Sequence, residues 1–311
     1  MLRSVSAAGS AVMMMLWATA ASAQVATAIE ADAIAFGTRE SVRNMGLSPD
    51  GKQAVFVGPG PGRTTIAYHV DIAVGATKPI LKASGNPERL QWCEFASDRR
   101  LVCRFYAMVQ GGAGLLLPST RTISLNIDGT DIKALGQRET DYDQGLRQTD
   151  GAVIDWLPGN GDEILMSRLY VPQGPRAASL STVRNKQGVG VVKVDTRTLR
   201  SIEVEPARRQ VGSFLSDGRG NVRVQGISEE TGDGQLTGRR KYQYRIAGSR
   251  DWRDLEPYQD GEFIPLAVDG DFFRRPLLPS PQGRPLCTHP NRAWRNSVGN
   301  TRRQSPQGRH R

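Results

Sequence analysis

From about residue 50 onward, apolar residues recur in short alternating runs bounded by Gly, Asp, Asn and Pro. A period of two sends successive side chains to opposite faces of an extended segment, so these runs predict β-strands. The predicted strands are Val55–Val57, Thr65–Val70, Leu101–Tyr106, Thr122–Ile127, Glu163–Arg168, Val189–Val194, Val222–Val224 and Tyr242–Ile246. Only Ala26–Phe36, rich in Ala, Ile and Glu, has a helix-compatible pattern. The expected class is therefore all-β with a short N-terminal helix.

The turns repeat as well as the strands. Leu47-Ser48-Pro49-Asp50-Gly51 precedes Ala54–Val57, and Phe95-Ala96-Ser97-Asp98 precedes Leu101–Cys103. Trp156-Leu157-Pro158-Gly159 precedes Glu163–Met166, and Leu215-Ser216-Asp217-Gly218 precedes Val222–Val224. Asp128-Gly129 and Asp195-Thr196 mark a second hairpin within a unit. A recurrence of roughly fifty to sixty residues is close to a propeller blade with loop insertions. Four copies and a further start at Ala267-Val268-Asp269-Gly270 predict an open or incomplete β-propeller of about four to five blades. A β-sandwich is the alternative.

The first residues have a different pattern. Arg3 precedes an apolar stretch from Ala11 to Ala20, followed by Ala21-Ser22-Ala23. This is the layout of a secretory signal, with cleavage expected between Ala23 and Gln24; the alternative is an uncleaved anchor. No further long apolar stretch occurs, so no integral membrane span is expected after cleavage. The expected organisation is a signal peptide at 1–23, a lead-in segment at 24–46, a propeller-like domain at 47–271 and a disordered Arg/Pro-rich tail at 272–311. The expected location is periplasmic or secreted.

The formal net charge of +10 suggests nucleic-acid binding until its position is considered. Nine arginines and no Lys, Asp or Glu lie in residues 272–311, which leaves +1 on residues 1–271. The body is nearly neutral, and no specific nucleic-acid partner is expected. The tail has three readings: an out-of-frame translation product, a plain disordered terminus, or a basic arm attracted to phosphates.

Among the three cysteines, Cys93 and Cys103 flank a turn centred on Asp98, whereas Cys287 lies in the tail. A hairpin there sets the first two opposite each other, either as a cross-strand disulfide in an oxidising compartment or as two buried thiols. Their spacing is not that of a zinc site and no His is near, so neither metal nor cofactor is expected. Gly58-Pro59-Gly60-Pro61-Gly62-Arg63 lacks the Gly-Lys-Ser/Thr end of a phosphate cradle and reads as a loop. Asp141 with Asp143, and Asp162 with Glu163, read as solvated turn acids, and Arg208-Arg209 and Arg239-Arg240-Lys241 as solvated faces. Trp92, Trp156 and Trp252 are expected to pack between blades.

The segment Leu47-Ser48-Pro49-Asp50-Gly51-Lys52-Gln53-Ala54-Val55-Phe56-Val57 resembles the blade repeat of TolB-like and prolyl oligopeptidase propellers. Ser84–Leu90, Val153–Gly159 and Ser216–Gly220 extend the resemblance to the propeller of exported prolyl oligopeptidase-type (S9-like) serine peptidases, over about residues 34–271. In that family an α/β-hydrolase domain carries the nucleophilic serine on a G-x-S-x-G elbow. No Gly-x-Ser-x-Gly occurs here, and the three histidines are His69, in a predicted strand, and His289 and His310, in the tail. The resemblance thus implies a non-catalytic, substrate-gating propeller segment, truncated before the hydrolase domain, with no catalytic residue of its own. The alternative is a stand-alone periplasmic TolB-like propeller that binds a protein or peptide.

Overall fold

The computed structural model describes residues 36–111, 114–179, 182–233, 235–255, 264–269 and 272–274. The signal segment with its Ala23–Gln24 junction, most of the lead-in helix and residues 275–311 lie outside the described residues.

Four antiparallel four-stranded sheets follow one another along the chain. The first comprises β1 (Asn44–Leu47), β2 (Gln53–Pro59), β3 (Thr65–Asp71) and β4 (Ala76–Ala83). The second comprises β5 (Arg89–Ser97), β6 (Arg100–Gln110), β7 (Leu116–Asn126) and β8 (Lys133–Ala134). β9 (Val153–Asp155), β10 (Glu163–Tyr170), β11 (Gly188–Asp195) and β12 (Ser201–Arg208) form the third. β13 (Val211–Ser216), β14 (Val222–Glu230), β15 (Leu236–Tyr244) and β16 (Arg253–Leu255) form the fourth. A two-stranded sheet, β17 (Ala267–Asp269) with β18 (Phe272–Arg274), comes last. Each sheet is a meander in which sequence neighbours pair.

Local chemistry fixes the turns. In the first sheet the Asp50 carboxylate accepts the Ser48 hydroxyl at 2.7 Å and the Lys52 amide at 3.0 Å. Gly51 completes that turn at φ 71°, a left-handed conformation that glycine adopts without a Cβ penalty. Asp195 plays the same part between β11 and β12, accepting the Arg197 and Thr198 amides at 2.8 Å each. At Gly129, between β7 and β8, a Cβ would lie 2.4 Å from the Ile80 carbonyl oxygen of the preceding sheet.

The alternation read from the sequence distributes the core. Leu101 and Cys103 on β6 pack with Val55 and Val57 of the first sheet, while Val102 between them packs with Ile164 and Met166 of the third. On β10, Leu165 faces the other way, towards Val211, Phe214 and Val222 of the fourth sheet. Each interior sheet is therefore apolar on both faces, and the sheets stack face to face. Val222 and Val224 depart from simple alternation because the register shifts between Leu215 and Ser216. The extra residue sends Val222 into the core shared with the third sheet and Val224 into the core reaching Val268.

Two expected boundaries differ. The lead-in segment was expected to run to residue 46, but Asn44–Leu47 forms β1, paired in register with Leu47↔Ala54 to Asn44↔Val57. Four residues containing a glycine and an asparagine carry too little periodicity to read as a strand, and the pairing with β2 supplies the order. The irregular tail was expected from residue 272, yet Phe272–Arg274 pairs with Ala267–Asp269 as β18. There Phe272–Arg274, beyond the compositional boundary, takes its order from pairing with β17.

Candidate functional site

The four recurrent turns occupy one structural position. Ser48–Gly51 joins β1 to β2, Ser97–Arg100 joins β5 to β6, Leu157–Asp162 joins β9 to β10, and Ser216–Asn221 joins β13 to β14. Each is the turn between the first two strands of a sheet. Asp128-Gly129 and Asp195-Thr196 join third to fourth strands. In an antiparallel meander these two kinds of turn lie at the same end, so they build one continuous surface.

Between the second and third sheets this surface holds an open cleft of about 710 Å³, lined by Asp98, Arg99, Asn126, Asp128, Asp162 and Arg197, among others. Most of its charges are already engaged. Arg197 Nε is 2.9 Å from an Asp162 carboxylate oxygen, and the Ser97 hydroxyl donates to the other. The Asp98 carboxylate accepts the Asp50 amide at 3.0 Å, tying the second sheet to the first. Arg99 is exposed at the rim of the cleft.

Beneath the cleft lies a buried polar joint that the sequence reading missed. Arg100, fully buried, donates from Nη1 to Asn126 at 2.9 Å and to Asp131 at 3.0 Å. Its Nη2 reaches the Ser124 hydroxyl at 3.0 Å and the Thr196 carbonyl oxygen, in the third sheet, at 2.8 Å. Position 100 shares the parity of Val102, which faces the third sheet, so alternation carried the signal. Arg100 is passed over in the sequence because it adjoins the turn centred on Asp98. Asp155 makes the corresponding joint one sheet further on, accepting the Gly220 amide at 2.8 Å, the Ser216 hydroxyl, and the Leu157 amide at 3.0 Å.

At the innermost edge, Glu94 on β5 approaches Gly46 on β1, where a Cβ would meet its carboxylate. Asn44 donates to Glu94 at 3.1 Å and accepts the Cys93 amide at 3.1 Å. Burial raises the Glu94 pKa above the ordinary value, partly offset by the Asn44 hydrogen bond.

The remaining singled-out residues fall as follows. Cys93 and Cys103 are register partners on β5 and β6, both buried, with Cα atoms 4.1 Å apart and sulfurs at bonding distance. His69 sits on β3 with Nε2 2.7 Å from Gln53 Oε1, and burial lowers its pKa. Asp143 pairs with Arg184, and Glu163 with Lys193 at 3.0 Å. Lys241 pairs with Glu229 at 3.1 Å. Trp92 and Trp156 meet edge-on, 6.2 Å apart, beside the core between the second and third sheets, and Trp252 borders the next core. Cys287, His289 and His310 lie outside the described residues. Among the described residues no cluster of three or more His, Cys, Asp or Glu could hold a metal, and no helix is long and apolar enough to cross a membrane.

Four consecutive four-stranded meanders, stacked face to face with first strands innermost, are the blades of a β-propeller, and β17–β18 begins a fifth. Similar solved structures include one described as a β-propeller domain. The β-propeller domain of the Trilobed protease from Pyrococcus furiosus is 12% identical, covering 76% of this chain and 64% of that one, with a TM-score of 0.42. The acylaminoacyl peptidase of Pyrococcus horikoshii is 13% identical over 76% of this chain and 36% of that one, with a TM-score of 0.39. TolB from Acinetobacter baumannii is 11% identical over 76% and 51%, with a TM-score of 0.36. This chain thus spans less than two thirds of each. No family model and no curated protein sequence matches it.

Proposed function

We propose that this chain is a non-catalytic propeller module of an exported S9-type serine peptidase, where it limits which substrates reach a hydrolase active site. One observation carries the reading. The Ser-Pro-Asp-Gly turn that resembles the family's blade repeat, and its three counterparts, occupy the same inner-hairpin position in four successive blades. The nucleophile of such a peptidase belongs to a hydrolase domain, and no G-x-S-x-G elbow occurs in this sequence. The secretory signal, cleavage at Ala23–Gln24, a periplasmic or secreted location and a closed Cys93–Cys103 disulfide belong to the same proposal.

The test assays the processed chain with aminoacyl and peptidyl chromogenic substrates, alone and with a separately expressed hydrolase domain of an S9-type peptidase. The expected result is no turnover alone and a change in that domain's preference for large over small substrates on mixing. Turnover by the chain alone that is lost on substituting one of its own residues would overturn the non-catalytic reading. Unchanged selectivity on mixing would favour a free-standing partner-binding propeller of the TolB kind.

A further inference from the structure

Six asparagines lie among the described residues, and they differ in how freely the side chain can reach the next main-chain nitrogen. Asn86 precedes Pro87, whose nitrogen carries no proton. Asn44 is bonded to Glu94 and to the Cys93 amide, and Asn221 to Asp217. Asn126 is held by Arg100, Arg197 and Thr130. Asn185 is exposed and makes no side-chain hydrogen bond to a described residue, but the residue after it is Lys186. Asn160 combines what the others lack. It is exposed in the turn between β9 and β10, its carboxamide makes no hydrogen bond to a described residue, and Gly161 follows it. The Gly161 N–H likewise has no acceptor among the described residues, and a Cβ at Gly161 would meet nothing within 4 Å.

We propose that Asn160-Gly161 is a self-modifying site, where the chain converts its own carboxamide to a carboxylate with water as the only co-reactant. The Gly161 nitrogen, once it has lost its proton to solvent, attacks Cγ of Asn160. The new N–Cγ bond closes a cyclic imide, the Cγ–Nδ2 bond breaks, and the amide nitrogen takes up a proton and leaves as ammonia. Water then opens the ring. Opening at Cγ gives an ordinary aspartate; opening at the main-chain carbonyl carbon gives an isoaspartate, whose backbone runs through the former side chain. Nothing is oxidised or reduced. Asparagine is a thermolabile residue, and a following glycine has no Cβ to crowd the attacking nitrogen. The position of the turn gives the change a target. Gly161 and Asp162 line the cleft together with Asp98, Asp128, Arg99 and Arg197. A carboxylate at position 160 adds negative charge at the lip of that cleft, close in sequence to Asp162, which already holds Arg197 at 2.9 Å. The isoaspartyl product also lengthens the main-chain path from β9 to β10 by one carbon atom. The inference is independent of the peptidase reading.

The experiment holds the purified full chain, as expressed and processed by its host, at neutral and at mildly alkaline pH. Each asparagine is followed by peptide mass spectrometry, with fragmentation that separates aspartate from isoaspartate. Peptides holding Asn160 are expected to gain the mass of an amide-to-acid exchange and to split into the two isomeric products. The conversion should be faster at the higher pH, because the attacking nitrogen must be deprotonated. Asn185 should stay intact over the interval in which Asn160 is lost. Asn160→Gln, whose longer side chain needs a larger ring, should show no gain at position 160 with an unchanged far-ultraviolet circular dichroism spectrum. The same chain in guanidinium chloride separates the fold from the dipeptide. Persistence of Asn160 in the folded chain, whether or not the unfolded chain converts, would overturn the inference, and so would loss of Asn185 at an equal rate.

Discussion

Arg100 Nη2 donates to the main-chain carbonyl oxygen of Thr196 at 2.8 Å, across the joint between the second and third blades. The same guanidinium holds Asn126, Ser124 and Asp131, so one buried cation fastens two turns of its own blade to one of the next. Removing it takes one charged donor from each of these acceptors, although the Ser124 hydroxyl still reaches the Thr196 carbonyl oxygen at 2.6 Å and Lys133 still pairs with Asp131 at 3.0 Å, and it leaves a cavity. Arg100→Ala should cost about 2–4 kcal/mol, from the lost charge-assisted hydrogen bonds and the cavity left by a buried side chain. Urea unfolding measures the loss. A cost below about 1 kcal/mol would show that water replaces the side chain at no penalty.

Asp155 tests whether the next joint has the same character. Its carboxylate accepts from the Leu157 and Gly220 amides and the Ser216 hydroxyl, and it is buried. Asp155→Ala should destabilise by about 2–4 kcal/mol, since three donors lose a charged acceptor. Ser216→Ala removes one of the three and should cost about 1 kcal/mol. Chemical denaturation of the two single variants and the double variant would reveal the coupling as non-additivity.

The pH dependence of two carboxylates should have opposite signs. Burial raises the folded-state pKa of Glu94. The folded chain therefore holds that proton more tightly, and stability falls as pH rises from the unfolded value, about 4.3, through the raised folded one. Glu94→Gln should be more stable than wild type at neutral pH, with the gap closing below pH 4. At Asp195 the Thr198 and Arg197 amides lower the folded pKa. Its contribution is full above the unfolded value, about 3.9, and is lost as pH falls through the lower folded one. Asp195→Asn should therefore be less stable than wild type at neutral pH, a difference that vanishes in acid. Denaturation midpoints across the pH range distinguish the two.

Leu199 adopts φ 63°, a left-handed conformation that costs a residue with a Cβ about 1–2 kcal/mol. Its side chain is partly exposed, so little burial is lost on truncation. Leu199→Gly should leave stability unchanged or raise it by up to about 1 kcal/mol, read as a thermal midpoint. A clear loss of stability would mean that the leucine makes a packing contribution larger than its strain.

Much of the architecture was legible because blades state themselves twice, in alternation and in turn chemistry. Leu101, Val102 and Cys103 read as a two-faced strand, and two packed faces are what they have. The turn residues Asp50, Asp128 and Asp195 read as hairpins because a short carboxylate satisfies nearby amides, and they do so here. Strands such as β1 and β9 were illegible, since four residues, or three, carry no period and gain their order from a neighbouring strand. Arg100 and Asp155 were hidden for another reason. A charged residue in turn-rich sequence reads as solvated unless its future partners, 24 to 96 residues away for Arg100, are known to converge on it. The cleft is likewise assembled from four separate turns, none distinctive alone.

Hydrogen–deuterium exchange, followed by peptide mass spectrometry on the processed chain, tests the repeated-blade account most directly. Four blocks of slow exchange are expected, centred on the strand pairs β2–β3, β6–β7, β10–β11 and β14–β15. A faster-exchanging connection at residues 135–152 should precede the third block, and another, at 171–179 between β10 and β11, should lie within it. Arg100→Ala should weaken protection chiefly in the second and third blocks. Protection that merged into a single block, or that was absent from one of the four strand pairs, would contradict the arrangement of four equivalent blades.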